Sequence, residues 1–484
     1  MFFLPETSAI IDGRSGQRSS GIDLNREIRL RAARLQAHGL AERSIVVIAH
    51  GGSADFFVDL FAVWHSGACA AVINPSLTAP ELENIVDFVG AKWVITDGNA
   101  DLPQKVGDAA CVDLSSGPES SQAPQRRSTH FDDDCLILFT SGTTGDPKGV
   151  VHSFRSIYSR VTLNRAYLGD AVLNTTLCTL PTHFGHGLIG NCLTPLLAGH
   201  TLVLRAGSGL TDARAIPDII EEYNISFMSS VPTLWKLILK MARPPGENGL
   251  KRISVGSAPM SADLWSAISD WAGGKAVANM YGITETANWI AGASSDAFEP
   301  QDGLVGTMWG GSSAVLSEDG NISFSGLGEL LLMPPSLMTR YFERPDLTEQ
   351  AFMGGWYRTG DVGTISDKGV IRIVGREKHE INRAGIKIHP EEIDTLLERH
   401  PLVTEACTFG MPDDVAGETV GIAITLTDRE DITVSELRSW ALERLKRESV
   451  PERWFVVDEI PKTDRGKINR QIVLEYCLNL GNEE

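Results

Sequence analysis

The sequence predicts an α/β architecture, on two observations: strand-length apolar runs alternate with segments of helical period, and turn-forming residues separate them. Ile45-Val46-Val47-Ile48, Cys69-Ala70-Ala71-Val72-Ile73 and Trp93-Val94-Ile95 read as buried strands. Between them, Asp55 to Trp64 and Ala79 to Val89 carry helical periodicity. At 484 residues the chain has room for roughly three domain-sized units. Its 42% hydrophobic residues supply a substantial core, and 47 glycines with 23 prolines imply many turns.

The apolar run Leu136-Ile137-Leu138-Phe139 leads into Thr140 to Gly149, reading TSGTTGDPKG. Glycines let backbone N–H groups turn inward on an anion, the hydroxyls of Thr140, Ser141, Thr143 and Thr144 add donors, and Lys148 adds a point charge. This is phosphate-handling chemistry, and its natural ligand is a nucleoside triphosphate. It differs from the Walker loop, in which glycine directly precedes the lysine and a helix follows. Here Pro147 precedes Lys148, and the β-branched Val150 and Val151 predict that the loop turns back between strands. Upstream, the Ser-, Pro- and Gln-rich stretch from Ser115 to Ser128 predicts an exposed loop.

Further clusters follow in order. Pro181-Thr182-His183-Phe184-Gly185-His186-Gly187 sets two imidazoles and an aromatic ring among glycines, a composition able to wall a pocket. Gly256-Ser257-Ala258-Pro259-Met260 follows the apolar Ile253-Ser254-Val255, and its small residues let a flat ring approach the backbone. Met280-Tyr281-Gly282-Ile283-Thr284-Glu285-Thr286 combines a stacking ring, hydroxyls and a carboxylate able to hold Mg²⁺. Gly355 to Gly363 reads GWYRTGDVG, and Asp361 within it can accept both hydroxyls of a ribose. Gly375-Arg376-Glu377-Lys378 comes next, where the chain becomes charge-richer, so a domain boundary is expected near Lys378. In that last part Thr433 and Glu436 make a capping box, and Leu437, Trp440, Ala441 and Leu445 form one apolar helix face. Pro461 to Arg470 reads PKTDRGKINR; taken singly, Lys467 is either a mobile catalytic cation or a surface lysine.

Charge and cysteine usage exclude some classes. With 43 basic against 62 acidic residues the net charge is −19, which argues against nucleic acid or an anionic membrane as a general partner. The seven cysteines are scattered without CxxC spacing, which predicts a reducing cytoplasm and no zinc site. No stretch of eighteen apolar residues occurs, so no membrane span or signal peptide is expected.

Together, the TSGTTGDPKG loop, the Gly256-Ser257-Ala258 turn, the Tyr281 to Thr286 cluster, the Asp361 to Lys378 segment and Lys467 closely resemble the AMP-forming acyl- and aryl-CoA synthetase superfamily. That superfamily also contains luciferases and the adenylation domains of peptide synthetases. The resemblance runs from about Ile45 to Arg470 and implies a large N-terminal α/β domain of several subdomains, residues 1–377. A small mobile C-terminal α+β domain, residues 378–484, would rotate about Lys378 between two half-reactions. It further implies that Thr140, Ser141, Gly142, Thr143, Thr144 and Lys148 cradle the β- and γ-phosphates of ATP. Gly256, Ser257, Ala258 and Tyr281 would frame adenine, Thr284 would meet the α-phosphate, Glu285 would bind Mg²⁺, Asp361 with Arg376 would hold the ribose, and Lys467 would be the adenylation lysine.

Two positions depart from the family's pattern: His379 stands where Asp is common after GRxK, and Glu448-Ser449 replaces a frequent Tyr-Lys pair before Pro451. On the substrate side the resemblance makes Phe184 an aromatic gate and sets His186, Val255, Gly256, Asn288 and Trp289 along the acid pocket. The indole of Trp289 would shorten that pocket, favouring a short, branched or ring-bearing acid, while His183, His186 and Asn288 would serve a polar substituent. Gly185 stands where amino-acid-activating members carry Asp, which disfavours an α-amino acid. The implied activity is an ATP-dependent acid:CoA ligase. Transfer of the acyl group to a carrier-protein phosphopantetheine or to an amine is the alternative, and a phosphotransferase releasing ADP is a third reading from another class.

Overall fold

Apolar β-branched runs form the strands, and capping residues start the helices between them. In the computed structural model, which describes residues 3–98, 104–116, 129–140, 147–205, 210–246, 249–413, 416–427, 432–462 and 468–480, the helix Ala54–His65 begins at Ser53, whose hydroxyl accepts the backbone N–H of Phe56 at 3.2 Å. Thr78 and Glu81 form a capping box at the start of the helix Ala79–Val89, which ends on Gly90 at φ 61°. Both helices and the three strands expected around them are present, with the second strand ending at Val72.

The first sheet runs in the order Arg340–Tyr341, Lys148–Ser153, Asp134–Thr140, Cys69–Val72, Ile45–Ile48, Trp93–Thr96, Ala109–Asp113, Lys105–Val106. Its centre is parallel and covered on both faces, which is why those strands are continuously apolar. The second sheet begins with parallel strands, among them Thr175–Cys178, Phe227–Ser230, Arg252–Gly256 and Ala276–Gly282. It turns antiparallel at Trp289–Ser294 and continues through Leu304–Met308, Val370–Arg376 and Trp356–Ile365. Ligands in open α/β sheets lie beyond the carboxyl ends of parallel strands. Here those ends bring Ser257 and Ile283 to one edge, where the strand direction reverses.

The third sheet starts at Ile381 and carries the helices Pro390–Leu397, Val434–Leu442 and Arg470–Leu480. The molecule is thus a large N-terminal α/β region with a smaller C-terminal α+β region. The capping box of Thr433 and Glu436 forms, with Leu437 and Ala441 buried and Trp440 and Leu445 packed beside them; Leu445 lies past the helix end. The apolar clusters of the large region contain no residue after Ile373, and those of the small one none before Ile381. Polar contacts span the divide: Lys236 reaches Glu398 at 2.8 Å, Lys387 reaches Glu318 at 2.8 Å, and Arg399 pairs with Asp302. Ion pairs at a surface contribute little to stability.

Within the predicted loop after Asp113, that carboxylate accepts the N–H of Ser115 at 2.8 Å; residues 117–128 lie outside the described ones. Among the described residues no helix is long and apolar enough to cross a membrane.

Candidate active site

The strands Asp134–Thr140 and Lys148–Ser153, which flank the glycine-rich segment, pair antiparallel up to Thr140 opposite Lys148, as expected of strands on either side of a turn. Ser141, Gly142, Thr143 and Thr144 lie outside the described residues. Lys148 extends from the hairpin base, its Nζ 3.9 Å from the centre of the Tyr341 ring and 3.7 Å from Glu285 Oε1.

Glu285 sits on the segment that links Ala276–Gly282 to Trp289–Ser294. To reverse direction there, the chain takes a short 3₁₀ turn at Thr284–Thr286 and places Ala287 at φ 68°, a conformation costly for a residue with a side chain. Its carbonyls are tied individually. His152 Nε2 donates to Thr284 O at 2.9 Å, Met338 N to Glu285 O at 2.7 Å, Ser336 Oγ to Thr286 O at 3.0 Å, and Thr286 Oγ1 to Asn288 O at 2.9 Å. The Glu285 carboxylate accepts the Tyr341 hydroxyl at 2.8 Å, and Tyr341 meets Tyr357 at 3.0 Å. Burial, and then the Glu285 charge, push both phenols above their usual range, so they stay protonated donors.

Asp361 and Arg376 lie directly opposite each other on neighbouring strands. Arg376 Nε donates to Asp361 Oδ1 at 2.7 Å, and the Tyr281 hydroxyl donates to Oδ2 at 2.6 Å. Burial pushes the Asp361 carboxyl up, against the opposing pull of Arg376 and Tyr281. Lys378 is held below the ordinary lysine range by burial first, then by the charges of Arg376 and Lys148. Lys148, Ile283, Glu285, Thr359, Arg376 and Lys378 line a common cleft of about 250 Å³. In a chain of net charge −19, this cleft sets three cations, Lys148, Arg376 and Lys378, against two carboxylates, Glu285 and Glu377, a local positive excess that favours an anionic ligand. Among the described residues no group of three or more His, Cys, Asp or Glu side chains gathers. The Glu285 carboxylate at this cleft is of the ligand type that suits Mg²⁺, which keeps waters and takes its other ligands from phosphates.

On the other side of the reversal, His186 opens a wide helical segment, His186–Leu193. It hydrogen-bonds through both ring nitrogens, Nδ1 to Ser257 Oγ and Nε2 to Ser229 Oγ, each at 2.7 Å. Close approach demands glycine here: a Cβ on Gly185 would stand 2.6 Å from Ala287 O, and one on Gly190 2.0 Å from Asn288 Nδ2. Asn288 spends its amide on the backbone, donating to Gly185 O at 2.9 Å and accepting the Trp289 N–H. The Trp289 ring stands edge-on to His186 with centroids 5.1 Å apart and packs with Leu168, Leu173, Phe227 and Met280. Phe184 is half-buried and edge-on to His183 at 5.5 Å. Gly256 packs against the Met280 carbonyl, Ser257 turns at φ 69°, and Ala258 is exposed.

Val255 corrects the expected pocket lining. Alternate residues of a strand face opposite sides, so its side chain joins the core with Trp235, Met260 and Trp265, away from Trp289. Lys467 lies outside the described residues. His152, Tyr341, Tyr357 and Ser336 escaped sequence reasoning, since no local pattern marks a single residue that reaches the site from a distant strand or loop.

Residues 4–342 match the family described as AMP-binding enzyme, and residues 392–467 match its C-terminal domain. The chain belongs to the AMP-binding enzyme family. An oxalate–CoA ligase of Arabidopsis thaliana is 30% identical over 462 residues, covering 91% of this chain and 90% of that one. A sulfoacetate–CoA ligase of Cupriavidus necator is 30% identical over 435 residues, covering 85% and 84%. ATP-bound MatB from Rhodopseudomonas palustris superposes with a TM-score of 0.87 at 25% identity, covering 97% of this chain and 96% of that one. The o-succinylbenzoate CoA synthetase of Bacillus subtilis, complexed with its acyl-adenylate, shares the fold with a TM-score of 0.87 at 24% identity, covering 96% and 94%. By family and fold, this AMP-binding enzyme is an AMP-forming acid–thiol ligase.

His152 yields a pH prediction. A carbonyl only accepts, so the proton on the ring sits at Nε2, and burial holds the imidazole down to about 4 against its ordinary 6.5. Between those values the folded protein binds fewer protons than the unfolded chain, so this contribution is complete above about pH 6.5 and is lost as pH falls towards 4. The loss is on the order of 2 kcal/mol by pH 5. Denaturant midpoints at pH 7 and pH 5 should therefore differ more for the wild type than for His152→Gln, which keeps a donor without the titration; equal differences would contradict this.

Proposed function

We propose that this AMP-binding enzyme activates a short, branched or ring-bearing carboxylic acid as its acyl-adenylate and transfers the acyl group to the thiol of CoA. The observation that carries this reading is the cleft lined by Lys148, Arg376 and Lys378 with Glu285 and Glu377, behind which Arg376 holds the buried Asp361. In the first step a carboxylate oxygen attacks the α-phosphorus of ATP, and the bond to the bridging oxygen of the β-phosphate breaks to release pyrophosphate. In the second, the thiol sulfur attacks the acyl carbon, its proton is lost to solvent, and AMP leaves.

Charge must be neutralised on both the attacking and leaving sides of the first step. Thr140, Ser141, Gly142, Thr143, Thr144 and Lys148 hold the β- and γ-phosphates. Glu285 fits Mg²⁺, which when bound neutralises the departing pyrophosphate. Thr284 meets the α-phosphate, and Lys467 supplies the cation at the attacking side. Asp361, already an acceptor for Tyr281 and Arg376, takes the ribose hydroxyls; Tyr281 with Gly256, Ser257 and Ala258 frames adenine. Phe184, His186 and Trp289 bound the acid, while Asn288 shapes its wall by holding the backbone.

Residues 1–377 and 378–484 act as separate domains about Lys378. The separation of their apolar clusters supports this, because rotation breaks ion pairs but opens no core. A reducing cytoplasm suits seven free thiols. Relatives are named for acids as different as oxalate, sulfoacetate, 4-coumarate and long-chain fatty acids, so the size preference proposed here rests on the indole of Trp289 beside His186. Glu448-Ser449, where many CoA ligases carry Tyr-Lys, keeps a carrier-protein phosphopantetheine or an amine as the second reading for the acceptor.

Incubation with ATP, Mg²⁺ and a panel of short, branched and aromatic acids, with and without CoA, should yield AMP and an acyl-CoA by mass spectrometry. Acyl-adenylate that never becomes thioester would favour the second reading, and ADP would refute adenylation. Lys467→Ala should lower adenylate formation at least about a hundredfold, as loss of one charge-stabilising donor does, yet leave thioester formation from supplied adenylate largely intact; equal loss of both steps would refute its role. Trp289→Gly should extend activity to longer acids, and an unchanged chain-length profile would remove Trp289 from the pocket wall.

A further inference from the structure

The helix Phe154–Leu168 carries an arginine that the reaction above does not use. Arg160 is completely buried, and its hydrogen-bond partners among the described residues are neutral oxygens. Its Nη1 donates to the carbonyl of Trp289, and its Nε donates to Ser336 Oγ at 3.1 Å. Ser336 Oγ in turn donates to Thr286 O at 3.0 Å. Nη2 has no hydrogen-bond partner among the described residues.

Burying a cation among neutral acceptors is unfavourable, and an apolar residue of similar length would often serve stability as well or better. Burial lowers the guanidinium to about 9, which still leaves it charged at neutral pH. What the planar fork provides is a pair of donors in fixed relative directions. One grips the exit of the strained Thr284–Trp289 reversal, and the other grips its middle through Ser336. His152 holds the entrance at Thr284 from the preceding strand. Glu285 lies between these anchors, with Thr284 at the entrance and Trp289 at the exit.

We propose that Arg160 is a positioning residue for acyl-adenylate formation: it clamps the Thr284–Trp289 turn, so that Glu285 and Thr284 stay aimed at the ATP phosphates and Trp289 stays against the acid. The consequence for rate rests on the activity proposed above, whereas the clamp itself does not. Small misplacements of supporting geometry cost up to about a hundredfold in rate without a matching loss of binding.

The test compares wild type with Arg160→Met, Arg160→Lys, Ser336→Ala and the Arg160→Met/Ser336→Ala double variant. Hydrogen–deuterium exchange reads the clamp without any substrate. Peptides covering 282–290 should exchange at least about tenfold faster in Arg160→Met, with the strands Arg252–Gly256 and Ala276–Gly282 unchanged. Pyrophosphate–ATP exchange, with oxalate, succinate, propionate and benzoate as the acids, should show kcat reduced about tenfold to a hundredfold while KM for MgATP holds within about threefold. Arg160→Lys should recover part of the rate, Ser336→Ala should lose rate in the same direction, and the double variant should be no slower than Arg160→Met. Unchanged exchange over 282–290 overturns the clamp. So does a general rise in exchange with a fall in melting temperature that tracks the lost rate, or additive effects in the double variant. A wild type that binds MgATP but exchanges pyrophosphate with none of these acids counts against the proposed activity, and the deuterium result still decides the clamp.

Discussion

Everything at this site depends on one backbone reversal. A sheet built of parallel strands meets an antiparallel one between Gly282 and Trp289, and the chain turns there with Ala287 at φ 68°. Such a conformation costs about 1–3 kcal/mol, and a single hydrogen bond returns about 0.5–1.5 kcal/mol. The turn therefore has to be held by several donors, and they come from elsewhere: His152 from the hairpin strand Lys148–Ser153, Met338 and Ser336 from the segment after the strand Gly326–Met333, and Arg160 from the helix Phe154–Leu168. In the proposed reaction the elements that fix the turn also border the nucleotide and the acid, so strain at Ala287 and geometry at the reacting atoms become the same structural problem.

Charge follows the same logic of local compensation. The chain as a whole is strongly acidic, yet the cleft presents Lys148, Arg376 and Lys378 together. Asp361 is buried with Arg376 on one oxygen and Tyr281 on the other, so an isolated buried carboxylate is avoided while an acceptor remains in place for hydroxyl groups. Glu285 is approached by a phenol and, at longer range, by an ammonium. Tyr341 serves twice, donating to Glu285 through its hydroxyl and lying under Lys148 with its ring face.

Much of this was legible in the sequence because it is local. Apolar runs gave the strands, Thr78 with Glu81 and Thr433 with Glu436 capped their helices as their spacing implies, and β-branched Val150 and Val151 turned the glycine-rich loop back into a strand. The candidate site residues stand out in the sequence where hydroxyls, glycines and charges are adjacent, as around Lys148, Glu285 and Asp361. Val255, set along the pocket by the resemblance, joins the core because strand alternation turns it away from Ser254 and Gly256. His152, Arg160, Ser336 and Tyr341 were invisible for a different reason. Each acts across 50 to 176 residues of chain, and nothing in the neighbouring sequence marks the contact.

The route of the carboxylate oxygen tests the account most directly. An acid that supports turnover, labelled with ¹⁸O at both carboxylate positions, would be incubated with the enzyme, ATP, Mg²⁺ and CoA, and the nucleotide and phosphate products weighed by mass spectrometry. Attack on the α-phosphorus predicts AMP carrying one ¹⁸O, with pyrophosphate unlabelled and the second label retained in the thioester. Label in inorganic phosphate accompanied by ADP would mean attack at the γ-phosphorus, and the adenylation reading of this cleft would be wrong.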